Sequence, residues 1–202
     1  MTLLRALLMA SAGLLAGPPV AAQPAPWPAD GVAQLVVAAV AQTTRPARYD
    51  GAYRRIPYPM GDVPQDVGVC TDVVIRAYRA VGVDLQQRVH EDMRAAFAAY
   101  PRAWGLARPD PNIDHRRVPN LQTFFRRRGA ARPRSASPAD YEAGDVVTWM
   151  LPGNLPHVGL VIDRRSADGR RLLVAHNIGR GPEVEDMLFA FPITGHFRYR
   201  GQ

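Results

Sequence analysis

The stretch CTDVVIRAYRAVG, residues 70–82, decides how the rest of the chain is read. Val73, Val74, Ala77, Tyr78 and Val81 recur at helical spacing, and Gly82 supplies a C-terminal stop, so a helix begins at or just after Cys70. Cys70 is the only cysteine of the 202 residues. A thiol at a helix start sits among unpaired backbone amides and the positive end of the dipole, which predicts a thiolate pKa below the ~8.5 of a free cysteine.

Working outward, Asp30 caps an apolar helix expected over about 32–42 after a Pro-rich entry, and residues 43–69 read as a long loop holding Tyr49, Tyr53 and Tyr58. Further helices are expected over 85–100 and within VPNLQTFFRRRG, 118–129. After Pro138 the pattern changes. GDVVTWM (144–150), HVGLVI (157–162), RLLVAHN (171–177) and HFRYR (196–200) are short, rich in Val, Leu and aromatics, and separated by turn residues. Helices first and antiparallel strands second is the α+β pattern, with the helices packed on the sheet. There are no internal repeats.

Residues 1–22 have Arg5, an apolar run from Ala6 to Leu15 and small residues at Val20 and Ala22, the form of an export signal cleaved after Ala22. The expected organisation is thus a signal over 1–22, an entry segment and helix over 23–48, and one catalytic domain over 49–202, periplasmic or secreted. In an oxidising compartment cysteines are usually paired, so an unpaired one is either buried or kept for its chemistry. The formal charge is +7, every basic residue is Arg, and losing Arg5 leaves +6. Seven arginines from Arg116 to Arg134 without an intervening acid predict a positive surface region, read as a solvated helix and loop or as a contact for anionic envelope polymers or lipid headgroups. An exported chain without interleaved aromatic and basic residues does not suit nucleic acid.

A nucleophilic thiol needs a base. His157 opens a strand after a Pro-containing turn, and the next strand ends in His176-Asn177; either neighbour could orient the far nitrogen of the His157 ring, but strand alternation allows only one to face it. The order of a helix-start Cys, GDVV, HVGLVI and a strand closing in a polar residue resembles the NlpC-type branch of papain-like cysteine peptidases, which cleave peptide stems of bacterial cell walls. The segments YPMGDVPQDVGVCTDVVIRAYR, VHEDM, NIDHRRVPNL and HNIGRGPEVED resemble the exported bacterial family catalogued as domain of unknown function 1287.

The resemblance implies a papain-like fold, Cys70 as nucleophile, His157 as general base and His176 as third residue with Asn177 as alternative. It also implies Tyr58, in YPMG, as a group that polarises the scissile carbonyl. The usual Asp-Cys-Ser-Gly is here Val69-Cys70-Thr71-Asp72, and Asp72 is read as a partner of the helix dipole. The expected function is an exported thiol peptidase or amidase on wall peptides, acting as a monomer without metal or cofactor. Transfer to an acceptor other than water stays open, as do a silent wall-peptide binding module and a Cys70, His157 and His176 metal site. His90 and His115 are read as structural, since Arg94 stands where a zinc-protease helix would need its second histidine.

Overall fold

The structure, a computed structural model, describes residues 27–201; the expected export signal lies outside them. Helix α1 (Gly31–Ala41) precedes a loop containing two parallel two-residue strands, β1 (Arg48–Tyr49) and β2 (Val67–Gly68). Helices α2 (Cys70–Ala80), α3 (Leu85–Ala96) and α4 (Val118–Arg127) follow. Helix α3 ends four residues before the expected Tyr100, where the chain tightens into a 3₁₀ turn over Phe97–Ala99.

The second half forms β3 (Val146–Leu151), β4 (Leu155–Arg165), β5 (Leu172–His176), β6 (Glu183–Glu185) and β7 (Ile193–Phe197). They make one antiparallel sheet in the order β6-β5-β4-β3-β7, so the fold is α+β. The last strand begins three residues before the expected His196, because it pairs with β3 from Trp149 opposite Ile193 to Val146 opposite Phe197.

Alternation along β4 builds two cores. Val158, Leu160 and Ile162 face the helices and join Val74, Tyr78, Leu121 and Phe125, whereas Val161 faces the other way with Trp149, Val174 and Leu188. Helix α2 packs its Val74, Ala77 and Tyr78 face on the sheet, and Tyr78 carries its hydroxyl to the carbonyl oxygen of Tyr199 at 3.0 Å. Its N-terminus is fixed separately. The Asp72 carboxylate accepts from the Val69 amide at 2.7 Å and from Nε and Nη2 of Arg116, both at 2.9 Å, and both side chains are buried. A bidentate pair of this kind sets position as well as charge.

Most of the arginines read as one solvated face are paired instead. Arg116 lies under α2, Arg117 pairs with Asp114 and stacks on Trp104, and Arg127 and Arg128 converge on Asp92. Their partners lie at sequence distances at which no local pattern reveals them, apart from Asp114. Among the described residues no helix is long and apolar enough to cross a membrane.

Candidate active site

Cys70 is the first residue of α2 and only 5% exposed. The backbone amide of Val158, the residue after His157, faces the Cys70 sulfur and favours the thiolate. The pairing of β5 with β4 stops at His176 opposite Gly159, and the Val158 amide lies one residue beyond it. The first residues of β4 thus lie between the last residue of β5 and the helix start.

His157 and His176 meet across Gly159. Their rings stand at 90°, with Nε2 of His157 3.1 Å from Nδ1 of His176. A β-carbon on Gly159 would come within 3.0 Å of the Ala175 carbonyl oxygen and 3.1 Å of the His176 β-carbon, so the glycine permits the close approach of the two histidine-bearing strands. Trp149 closes the side of the His157 ring at 6.0 Å between centroids and is itself held by its Nε1–H on the Leu188 carbonyl oxygen. Asn177 is turned elsewhere: its Oδ1 accepts from the amides of Gly179 and Gly181 and shapes the turn into β6.

Nε2 of His176 lies 3.0 Å from Oε2 of Glu185 on β6. The other oxygen of Glu185 accepts from Arg180 at 2.9 Å, and Arg180 also reaches Glu183. The polar groups therefore run from the buried His157 through His176 to a half-exposed carboxylate at the sheet edge. Sequence reasoning missed Glu185 because Glu-Val-Glu carries no strand signal.

The protonation pattern differs from the expectation at Cys70. Burial pushes its thiol up to about 11, and the Asp72 charge adds to the rise against the helix-start amides and the Val158 amide. The expected lowering fails because the α2 terminus is buried and carries its own carboxylate. Burial likewise holds His157 down at about 3, with His176 adding to the effect. The resting pair is thiol and neutral imidazole.

Tyr58 does not join this group. The loop turns away over 57–61, where Asp84 accepts from the Met60 amide and Gln86 bonds both the Gly61 amide and the Pro57 carbonyl oxygen, so Tyr58 packs edge-on against His90 of α3. Tyr49 is the tyrosine beside Cys70; burial and then the neighbouring thiol raise its hydroxyl to about 12. Nothing in the loop's sequence distinguishes Tyr49 from Tyr53 or Tyr58.

A cavity of about 270 Å³ opens over the sulfur, walled by Tyr49, Val69, Trp104, Arg117 and Pro156. A larger groove of about 600 Å³ beside α1 and α2 holds Gln42, Asp62, Arg76 and Arg79 but no nucleophile. Among the described residues the one group with metal-ligand proximity is His176, Glu183 and Glu185; Cys70 and His157 are not in it, which disfavours the thiolate-centred metal site. His90 and His115 lie outside the group, and burial holds His115 neutral at about 3.

A family model described as domain of unknown function (DUF1287) matches residues 36–199. The uncharacterized protein YijF of Escherichia coli (strain K12) is 56% identical over 151 residues, which cover 75% of this chain and 73% of that protein. No solved structure matches. The match of one family model from the middle of α1 through the other three helices and the whole sheet makes this chain a member of the DUF1287 family.

Proposed function

We propose that the protein is an exported thiol hydrolase of the papain-like, NlpC type, cleaving amide bonds in cell-wall peptides through Cys70. The observation that carries the reading is the sulfur of a helix-start cysteine facing the amide next to His157, with that histidine bonded to a second one. Since the thiol and imidazole are both neutral at rest, His157 acts as a general base during attack. The Cys70 S–H proton passes to Nδ1 of His157 as the sulfur bonds the amide carbon and the carbonyl π electrons move to oxygen. The resulting oxyanion is met by the backbone amide at the α2 start and by the Tyr49 hydroxyl, and the Val158 amide stabilises charge on the sulfur.

The C–N bond then breaks, its electron pair takes the proton from His157, and the amine leaves a thioester on Cys70. Water attacks the thioester with His157 again accepting a proton, which returns to the sulfur as the acid departs. The cavity walls of Trp104, Tyr49 and Pro156 suit the apolar body of a peptide. Incubating purified wall fragments with the native protein should yield products heavier by one water in sum than their parents, detected by mass spectrometry. The same products from Cys70→Ala would overturn the reading.

A further inference from the structure

We infer that Glu185 is a positioning residue that sets the proton positions on both histidines. This rests on the reading of Cys70 as nucleophile only for its consequence, since the proton positions can be observed without any substrate. Histidine is an ambivalent orienter. A neutral imidazole can donate from either nitrogen and accept at the other, so a His–His pair alone has two arrangements of opposite sense. In one, His157 donates from Nε2 and keeps a lone pair on Nδ1. In the other, His176 donates from Nδ1, His157 accepts at Nε2, and the proton of His157 sits on Nδ1, where it cannot take one from Cys70.

A carboxylate resolves the choice because, ionised, it only accepts. Oε2 of Glu185 stands 3.0 Å from Nε2 of His176, which therefore carries the proton and donates. Nδ1 of His176 is left as the acceptor, 3.1 Å from Nε2 of His157, which must donate in turn. The lone pair of His157 falls on Nδ1. Both rings are buried, His176 fully, so water does not offer a competing partner along the pair. Arg180 fixes the carboxylate from the far side through Oε1 at 2.9 Å, with Glu183 as its second anchor.

This anchoring makes one isosteric change informative. In Glu185→Gln, Arg180 keeps the oxygen of the amide, so the NH₂ group is turned to Nε2 of His176 and donates to it. Every bond in the relay then reverses, and Nδ1 of His157 becomes protonated. Because Glu185 lies on the three-residue edge strand with its side chain 37% exposed, the core is untouched.

The test is ring-nitrogen NMR of protein labelled with ¹⁵N-histidine at pH 7, assigned with His157 and His176 variants, alongside the rate of Cys70 alkylation by iodoacetamide from pH 6 to 9. The native spectrum should show both histidines as Nε2–H tautomers. Glu185→Gln should show both as Nδ1–H tautomers, with alkylation at pH 7 slowed about 10-fold or more at unchanged melting temperature. A native His176 protonated on Nδ1 overturns the inference, and this spectrum decides even if the variant folds poorly. A variant with native tautomers and a native alkylation profile also overturns it. Loss of the nucleophile reading would appear separately, as wall cleavage by Cys70→Ala with the tautomers as stated.

Discussion

The sheet carries two histidine–carboxylate pairs of similar geometry and different surroundings. His176 meets Glu185 at 3.0 Å beside β5, and His196 meets Asp145 at 2.7 Å between β7 and the start of β3, each through Nε2. The other nitrogen separates them. Nδ1 of His196 faces the Pro133 carbonyl oxygen at 3.1 Å, its ring is stacked on Tyr141 at 4.2 Å, and Asp145 is closed further by Arg198 and the Glu142 amide. Nδ1 of His176 faces another imidazole. One pair ends in backbone and ties strands together; the other continues to the ring of His157, the residue before the Val158 amide that faces the Cys70 sulfur. A histidine–carboxylate contact therefore does not mark a catalytic site until the second nitrogen has been followed.

The strongest way to break this comparison is to remove the two ends in turn. His157→Ala should lower wall-fragment cleavage per folded molecule by about 10²–10⁴-fold, the range for a positioned general base, a loss beyond what its effect on stability accounts for. His196→Ala should do the reverse, leaving turnover per folded molecule intact. Equal activity losses in both would erase the distinction. Next in size, Asp145→Ala should destabilise by about 3–5 kcal/mol, measured by urea unfolding, since it strands the part-buried Arg198 guanidinium and a buried imidazole. The two-state assumption can be checked by coincident fluorescence and circular dichroism transitions.

The pH dependence sharpens the same contrast. His157 and His115 are held at about 3 against an ordinary 6.5, so between those values the unfolded chain binds more protons than the folded one and stability falls as pH drops below 6.5. Asp145 is depressed, because Arg198 and His196 outweigh the rise that burial alone would cause, and its contribution is lost as pH falls through the carboxylate range. Cys70, raised from 9.0 to about 11, acts at the other end: above pH 9 the unfolded thiol loses its proton first and stability declines. Urea midpoints should form a plateau between about pH 6.5 and 9. His157→Ala should make the acid limb shallower, with His115 supplying what remains, and Cys70→Ala should do the same to the alkaline limb.

How far the site was legible in sequence follows the range of the interactions. The α2 start, the strand histidines and the order of helices before strands depend on residues within one turn or one hairpin, and periodicity exposes them. Glu185 is nine residues from His176 across an intervening turn, and its segment is too short and too charged to read as a strand. Arg116 is 44 residues from Asp72, so its charge looked like surface until the fold paired it. The rise at Cys70 was hidden for a related reason. The dipole is local and visible, but the burial that outweighs it belongs to the packed sheet.

The smallest effect concerns the tyrosines and separates sequence spacing from contact. The resemblance to NlpC-type peptidases points to Tyr58, twelve residues before Cys70, whereas the side chain next to the thiol is Tyr49, 21 residues before it. If the hydroxyl beside the sulfur helps hold the oxyanion, Tyr49→Phe should lower turnover about 10-fold at unchanged KM, the worth of one charge-assisted hydrogen bond. Tyr58 lies with its ring against His90 and its hydroxyl bonded to nothing described, so Tyr58→Phe should stay within about 2-fold of native in both turnover and stability. A loss in Tyr58→Phe with Tyr49→Phe silent would mean that the loop over 50–66 rearranges when peptide binds. The carbonyl-polarising role would then follow chain spacing rather than the resting contact, and the two chain ends of that loop, β1 and β2, would be the hinge to immobilise next.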